Sequence, residues 1–119
     1  MNRILSDEIV TEFESDRNVS PELAHMMRKA RDASDFLKAL GHEHRLILLC
    51  LLAERERSVT ELEELLSLRQ TTVSQQLARL RLDHLVTTRR DGRTIYYSLA
   101  DEQLKQFLRV LYDMFCKGP

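Results

Sequence analysis

At 119 residues the chain suffices for one domain with its own core and not for two. Its composition, 43% hydrophobic and 31% charged, is that of a helix-rich globular protein, and no apolar run approaches the roughly 20 residues of a membrane span. The net charge of −1 does not exclude a nucleic-acid partner, because residues 69–97 carry six Arg against two Asp, a local +4 on a body of −5.

Residues 1–19 show a weak amphipathic pattern, with Ile4, Leu5, Ile9, Val10 and Phe13 among acidic residues, which suits an N-terminal arm or a short helix. The opening is too acidic and too poor in apolar residues for a signal peptide, so a cytoplasmic protein is expected. Residues 20–119 form the domain proper. Ser20-Pro21 starts a helix, with Ser as N-cap and Pro at the first position. Leu23, Met26, Met27, Ala30, Ala33, Leu37 and Leu40 then recur at three- and four-residue steps as far as Gly41. A second helix is expected from about residue 42 to 54, and its run 46–52 is apolar on every side, as in a helix at the centre of a core.

Residues 60–66 predict a short helix in which Thr60 and Glu63 fit a capping box. A tight link at 67–69 leads into a further helix over 69–80, and the two make a helix-turn-helix. In the second of them Val73, Leu77 and Leu80 form an apolar stripe. Thr71, Gln75 and Arg79 project from roughly the opposite side, with Ser74 on the flank. Hydroxyls, amides and a guanidinium, with no carboxylate among them, are the groups that read base edges and hold phosphates. Residues 86–90 and 94–99 are strand candidates joined by the turn signal Asp91-Gly92, with Ile95, Tyr97 and Leu99 alternating so that one face can pack on the helices. Arg89, Arg90 and Arg93 surround the turn. A basic hairpin directly after a helix-turn-helix is a wing that reaches the DNA backbone or minor groove. A last helix is expected over 101–117, with Leu104, Phe107, Leu108, Leu111, Met114 and Phe115 on one broad apolar face and Gly118-Pro119 ending it.

The expected fold is therefore mainly α with a small β-hairpin: a winged helix-turn-helix of order α-α-α-α-β-β-α that binds double-stranded DNA. The first and last long helices carry more apolar surface than so small a core needs. Either they pack on their own core, or they join two copies in a homodimer; a twofold dimer is preferred, because paired recognition helices meet half-sites of a symmetric operator about one turn, roughly 10 bp, apart.

Order, length and motifs together resemble the ArsR/SmtB family of small dimeric winged-helix repressors, over roughly residues 30–116. The most specific matches are residues 37–48, Val73-Ser74-Gln75-Gln76-Leu77 and Tyr96-Tyr97-Ser98-Leu99. The resemblance implies base reading by Gln70, Thr71, Ser74 and Gln75, and a wing tip at 90–93. It also allows the family's metal sites to be tested. Where the arsenic and cadmium type has its thiolates this chain has Ser58 and Thr60. Where the zinc type has its ligands it has Asp101, Gln103, Met114 and Lys117, one acid of four. Neither site is expected, nor any other metal or cofactor.

Two cysteines remain, Cys50 in the second helix and Cys116 near the end of the last. That pair resembles the sulfide- and persulfide-responsive branch of the family, the biofilm-growth-associated repressor and haemolysin-activator types. The resemblance implies that Cys50 and Cys116 are a redox sensor, reduced on DNA and released when reactive sulfur or oxidants link them by a disulfide or polysulfide. The other reading is that both are small core hydrophobes. A reactive thiol wants a nearby cation; Lys117 adjoins Cys116, and His44 or Arg45 is placed to approach Cys50.

His25, His42 and His44 lack convincing ligand partners for a metal. No phosphate-cradling glycine loop or nucleophile elbow supports an enzyme. Two other functions stay open: a regulator without an inducer that competes with another DNA-binding protein, and a protein-interaction winged helix, against which the basic wing argues.

Overall fold

The computed structural model describes residues 19–117. The expected N-terminal arm and the Gly118-Pro119 helix end lie outside the described residues, except for Val19. The elements in order are α1 (Pro21–Leu40), α2 (Glu43–Glu54), β1 (Arg57–Ser58), α3 (Val59–Leu66), α4 (Gln70–Leu82), β2 (Val86–Asp91), β3 (Thr94–Leu99) and α5 (Glu102–Phe115). This is the winged helix-turn-helix that the sequence predicts, with one strand more. No described helix is long and apolar enough to cross a membrane. The chain divides into two compact units after Ala39.

In the first unit α1 starts as expected. The Ser20 hydroxyl accepts the Leu23 N–H at 3.1 Å and the Ser20 carbonyl accepts the Ala24 N–H at 3.0 Å. Ala24 and Ala39 are buried, but Leu23, Met26 and Leu37 of the apolar stripe are exposed.

The second unit is built around α2, which packs on α5, α4 and β3. Its N-cap is His42, whose Nδ1 accepts the His44 N–H at 3.2 Å. Leu48, Leu49 and Leu52 are buried, and with Leu62, Val73, Leu77, Leu80 and Leu108 they make the core. Ile47 alone among the run 46–52 is exposed. The end of α2 is closed by Arg57, which is buried on β1: its Nε donates to the Leu51 carbonyl at 3.0 Å and its Nη2 to Glu54 at 2.8 Å. A last-turn carbonyl that the helix leaves unpaired thus finds a charged donor.

The unexpected strand β1 joins an antiparallel sheet of order β1-β3-β2, Arg57 pairing with Tyr97 and Ser58 with Tyr96. Two residues are too few to show a period in sequence. The pairing also corrects the expected cap. Ser58 is still extended, at φ −80 and ψ 162, so the capping box closes between Ser58 and Glu61, and not between Thr60 and Glu63. Both pairs satisfy the motif, but an N-cap needs extended backbone, and at Thr60 the chain is already helical.

At its far end α4 stops in a Schellman motif: the Leu85 N–H reaches the Leu80 carbonyl at 2.9 Å and the His84 N–H that of Arg81 at 3.0 Å. His84 sits at φ 59, the left-handed region where a Cβ is strained and glycine is not. His84→Gly is therefore expected to raise stability by about 0.5–1 kcal/mol. Urea denaturation measures it, and a loss of stability would mean that the imidazole makes a contact worth more than the strain.

Candidate DNA-binding surface and dithiol site

Val73, Leu77 and Leu80 have no solvent exposure, which fixes the roll of α4 and leaves Gln70, Thr71, Ser74, Gln75 and Arg79 exposed. Their neighbour Gln76 turns inward instead, and its Oε1 accepts from Arg45 Nη1 of α2 at 3.4 Å. Arg79 is held one turn along its own helix by Asp83, at 3.2 Å. The N-cap Arg69 supplies no side-chain bond to the first-turn amides of α4. Uncapped amides, hydroxyls and carboxamides together present donors and acceptors suited to the major-groove edge and its flanking phosphates.

In the wing, β2 and β3 pair from Val86↔Leu99 to Asp91↔Thr94, so Asp91 ends a strand and the loop itself is Gly92-Arg93. Gly92, at φ 62, stands at the position that a type II′ hairpin turn reserves for glycine. Arg90 and Arg93 are exposed beside this turn. Arg89 behaves differently from the sequence expectation. Its Nε and Nη2 donate to the two oxygens of Glu56 at 2.8 and 2.6 Å, and its guanidinium lies 4.4 Å from the centre of the Tyr96 ring. The Ser98 hydroxyl donates to the same carboxylate at 3.2 Å. These bonds, Arg89 foremost, hold the Glu56 carboxyl below its ordinary range, and Glu56 in turn raises Arg89. They also blur the expected alternation along β3. Ile95 is exposed, and Tyr96 and Ser98 are half-buried like Tyr97 and Leu99, because Arg89 covers Tyr96 and Glu56 meets Ser98.

The two cysteines are free thiols, Cys50 half-buried on α2 and Cys116 exposed at the C-cap of α5. The helices that carry them, α2 and α5, pack on each other. Burial first, then a charge on Cys116, then Glu54, push the Cys50 thiol up from its ordinary value. Of the two cations expected nearby, Arg45 donates to Gln76 and the His44 ring lies 5.5 Å from that of His42. A cavity of about 350 Å³ opens beside Cys50, lined by Ala53, Glu54, Lys105, Leu108, Arg109 and Tyr112, and gives a small reagent a way to the half-buried sulfur.

The sign of that shift sets a test. A raised pKa leaves less thiolate at a given pH below it, so in a Cys116→Ser variant iodoacetamide should alkylate Cys50 more slowly than a free model thiol near neutrality. Its rate should keep climbing with pH after the model thiol has levelled off. A rate above that of the model thiol would mean that Lys105 or Arg109, which line the cavity, stabilises the thiolate.

Two of the six positions compared above with metal sites cap helices here. Ser58 caps α3, and Asp101 Oδ1 accepts the Leu104 N–H at 2.8 Å to cap α5. Among the described residues no three His, Cys, Asp or Glu side chains converge as metal ligands would. Sequence reading missed Glu56, Arg57 and Ser98. Glu56 and Ser98 act through partners distant in sequence, and Arg57 lies on the unforeseen strand.

Comparison with known proteins bears on both surfaces. The family model "Bacterial regulatory protein, arsR family" matches residues 42–88, from the cap of α2 into β2. The biofilm growth-associated repressor of Agrobacterium fabrum is 44% identical over 94 residues, which cover 79% of this chain and 80% of that protein. HlyU from Vibrio cholerae, solved in its reduced form, aligns with a TM-score of 0.76 at 39% identity, covering 80% of this chain and 100% of that one. The transcriptional repressor BigR from Xylella fastidiosa aligns at 0.70 and 40% identity, covering 80% and 97%.

Proposed function

The chain belongs to the arsR family of bacterial regulatory proteins and is a DNA-binding transcriptional regulator, and from that premise we propose that linking Cys50 to Cys116 releases it from its operator. The observation that carries this reading is the packing of α2, which bears Cys50, on α5, which has Cys116 as its C-cap. The similar HlyU structure is of the reduced form of that protein, which fits a redox chemistry.

The chemistry balances with reactive sulfur as oxidant. One thiol takes the outer sulfur of an organic persulfide, RSSH, and RSH leaves. The second thiol then attacks the protein persulfide, expels hydrogen sulfide and closes the disulfide. If the protein persulfide takes a sulfur from a second RSSH before closure, RSH again leaves, and attack by the other thiol with loss of hydrogen sulfide then yields a trisulfide bridge. With hydrogen peroxide, the first step makes a sulfenic acid and water, and the second closes the disulfide with loss of another water.

The helix that bears Cys50 touches the recognition helix α4 and the wing strand β3 as well as α5. Drawing Cys116 towards Cys50 therefore strains one helix on which both DNA-contacting elements rest. Gln70, Thr71, Ser74 and Gln75 read base edges in this scheme, and Arg79, Arg90 and Arg93 meet phosphates. The protein acts as a homodimer on a twofold-symmetric operator. Leu23, Met26 and Leu37 of α1, and Val110, Tyr112, Met114 and Phe115 of α5, are exposed apolar residues that a second copy would cover. Linking shifts the spacing of the paired recognition helices, and a small shift breaks simultaneous contact with two half-sites.

The test treats reduced protein with a persulfide donor or with peroxide, then reads intact and peptide mass and DNA mobility shift on the same samples. A bridge from Cys50 to Cys116, plain or with added sulfur, together with loss of DNA binding is the expected result. Unmodified thiols, or a bridge that leaves DNA binding intact, would overturn the reading.

A further inference from the structure

We propose that Glu56 is a positioning residue for DNA binding: it keeps Arg89 on the protein, at the foot of the wing, so that the wing meets phosphates through Arg90 and Arg93 alone. The geometry is that of a committed pair. Two parallel N–H···O bonds at 2.8 and 2.6 Å use the forked face of the guanidinium, and its flat face rests on Tyr96. Ser98 supplies a third donor to the carboxylate. A phosphate could take Arg89 only by displacing both charge-assisted bonds and leaving Glu56 facing the DNA.

The carboxylate is also fixed from behind. Glu56 lies between the end of α2 and β1, and its neighbour Arg57 is buried, bonded to the Leu51 carbonyl and to Glu54. β1 pairs with β3, the strand that carries Tyr96 and Ser98. Arg57 thus ties the last turn of α2 to β1, and the adjacent Glu56 ties the sheet to the wing arginine. With Arg89 54% and Glu56 32% exposed, the pair contributes little to stability and its loss leaves the fold intact. What it sets is where one positive charge points.

The salt dependence of DNA binding counts phosphates and separates positioning from contact. The full-length reduced protein is titrated onto a fluorescein-labelled duplex of random sequence, and log K is followed against log salt concentration. Arg90→Ala and Arg93→Ala should each make the slope shallower by about 0.9 per bound protomer. Glu56→Gln should free Arg89 and steepen the slope by about 0.9 per protomer, and adding Arg89→Ala to it should restore the wild-type slope. A slope shallower than wild type for the double variant would show that Arg89 already holds a phosphate, and an unchanged slope for Glu56→Gln would show that the carboxylate masks nothing. Either result overturns the proposal.

Discussion

Cys50→Ser and Cys116→Ser should each bind DNA as the reduced wild type does and should each fail to let go when a persulfide donor is added. The proposed switch needs two sulfurs, and serine closes no bridge. Serine is close to isosteric with cysteine, and neither position is fully buried, so each hydroxyl can find water and the fold is undisturbed. In the wild type, a coupling of about 1–3 kcal/mol between bridge and DNA corresponds to a loss of affinity of roughly 5–150-fold. In either variant the ratio of affinities with and without the donor should fall to one. Mobility shift with and without donor, beside a non-reducing gel to exclude bridges between copies, makes the measurement. A single variant that still responds in full would move the switch away from this pair, and both thiols would then be packing residues.

What sequence could foresee here follows the range of the forces involved. Helix periodicity, the Ser20-Pro21 start and the glycine of the hairpin are local, and the structure places those elements where the pattern puts them. The seating of α4 was equally legible, because Val73, Leu77 and Leu80 can be buried only by turning Gln70, Thr71, Ser74 and Gln75 outward. Choices settled by tertiary pairing were not. The capping box fits two registers, and only the pairing of Ser58 with Tyr96 selects one of them. Arg89, Arg90 and Arg93 look alike in a string of letters, yet Arg89 meets a carboxylate 33 positions away. Near Cys50 the sequence offers His44 and Arg45, whereas the cations that line the cavity beside it, Lys105 and Arg109, belong to α5, far along the chain. A nearby residue in the chain is a poor guide to a field that falls off through space.

Leu77→Ala should cost about 2–5 kcal/mol, since it removes a side chain with no solvent exposure and leaves a cavity under the recognition helix. Against a total stability of about 5–15 kcal/mol for a domain of this kind, that is a large fraction. Urea denaturation should show the midpoint falling with the slope retained, because the same surface is exposed on unfolding. Gln75→Ala, one helical half-turn away and exposed, is the counterpart: stability should change by less than about 0.5 kcal/mol. DNA discrimination at one base pair should there weaken by about 1–3 kcal/mol. The two variants separate what Leu77 and Gln75 do on one helix. If Leu77→Ala lost DNA affinity at full stability, α4 would be held by something other than its apolar stripe. If Gln75→Ala lost stability instead of base selectivity, the outward face would be part of the packing, and base reading would have to come from elsewhere on the surface.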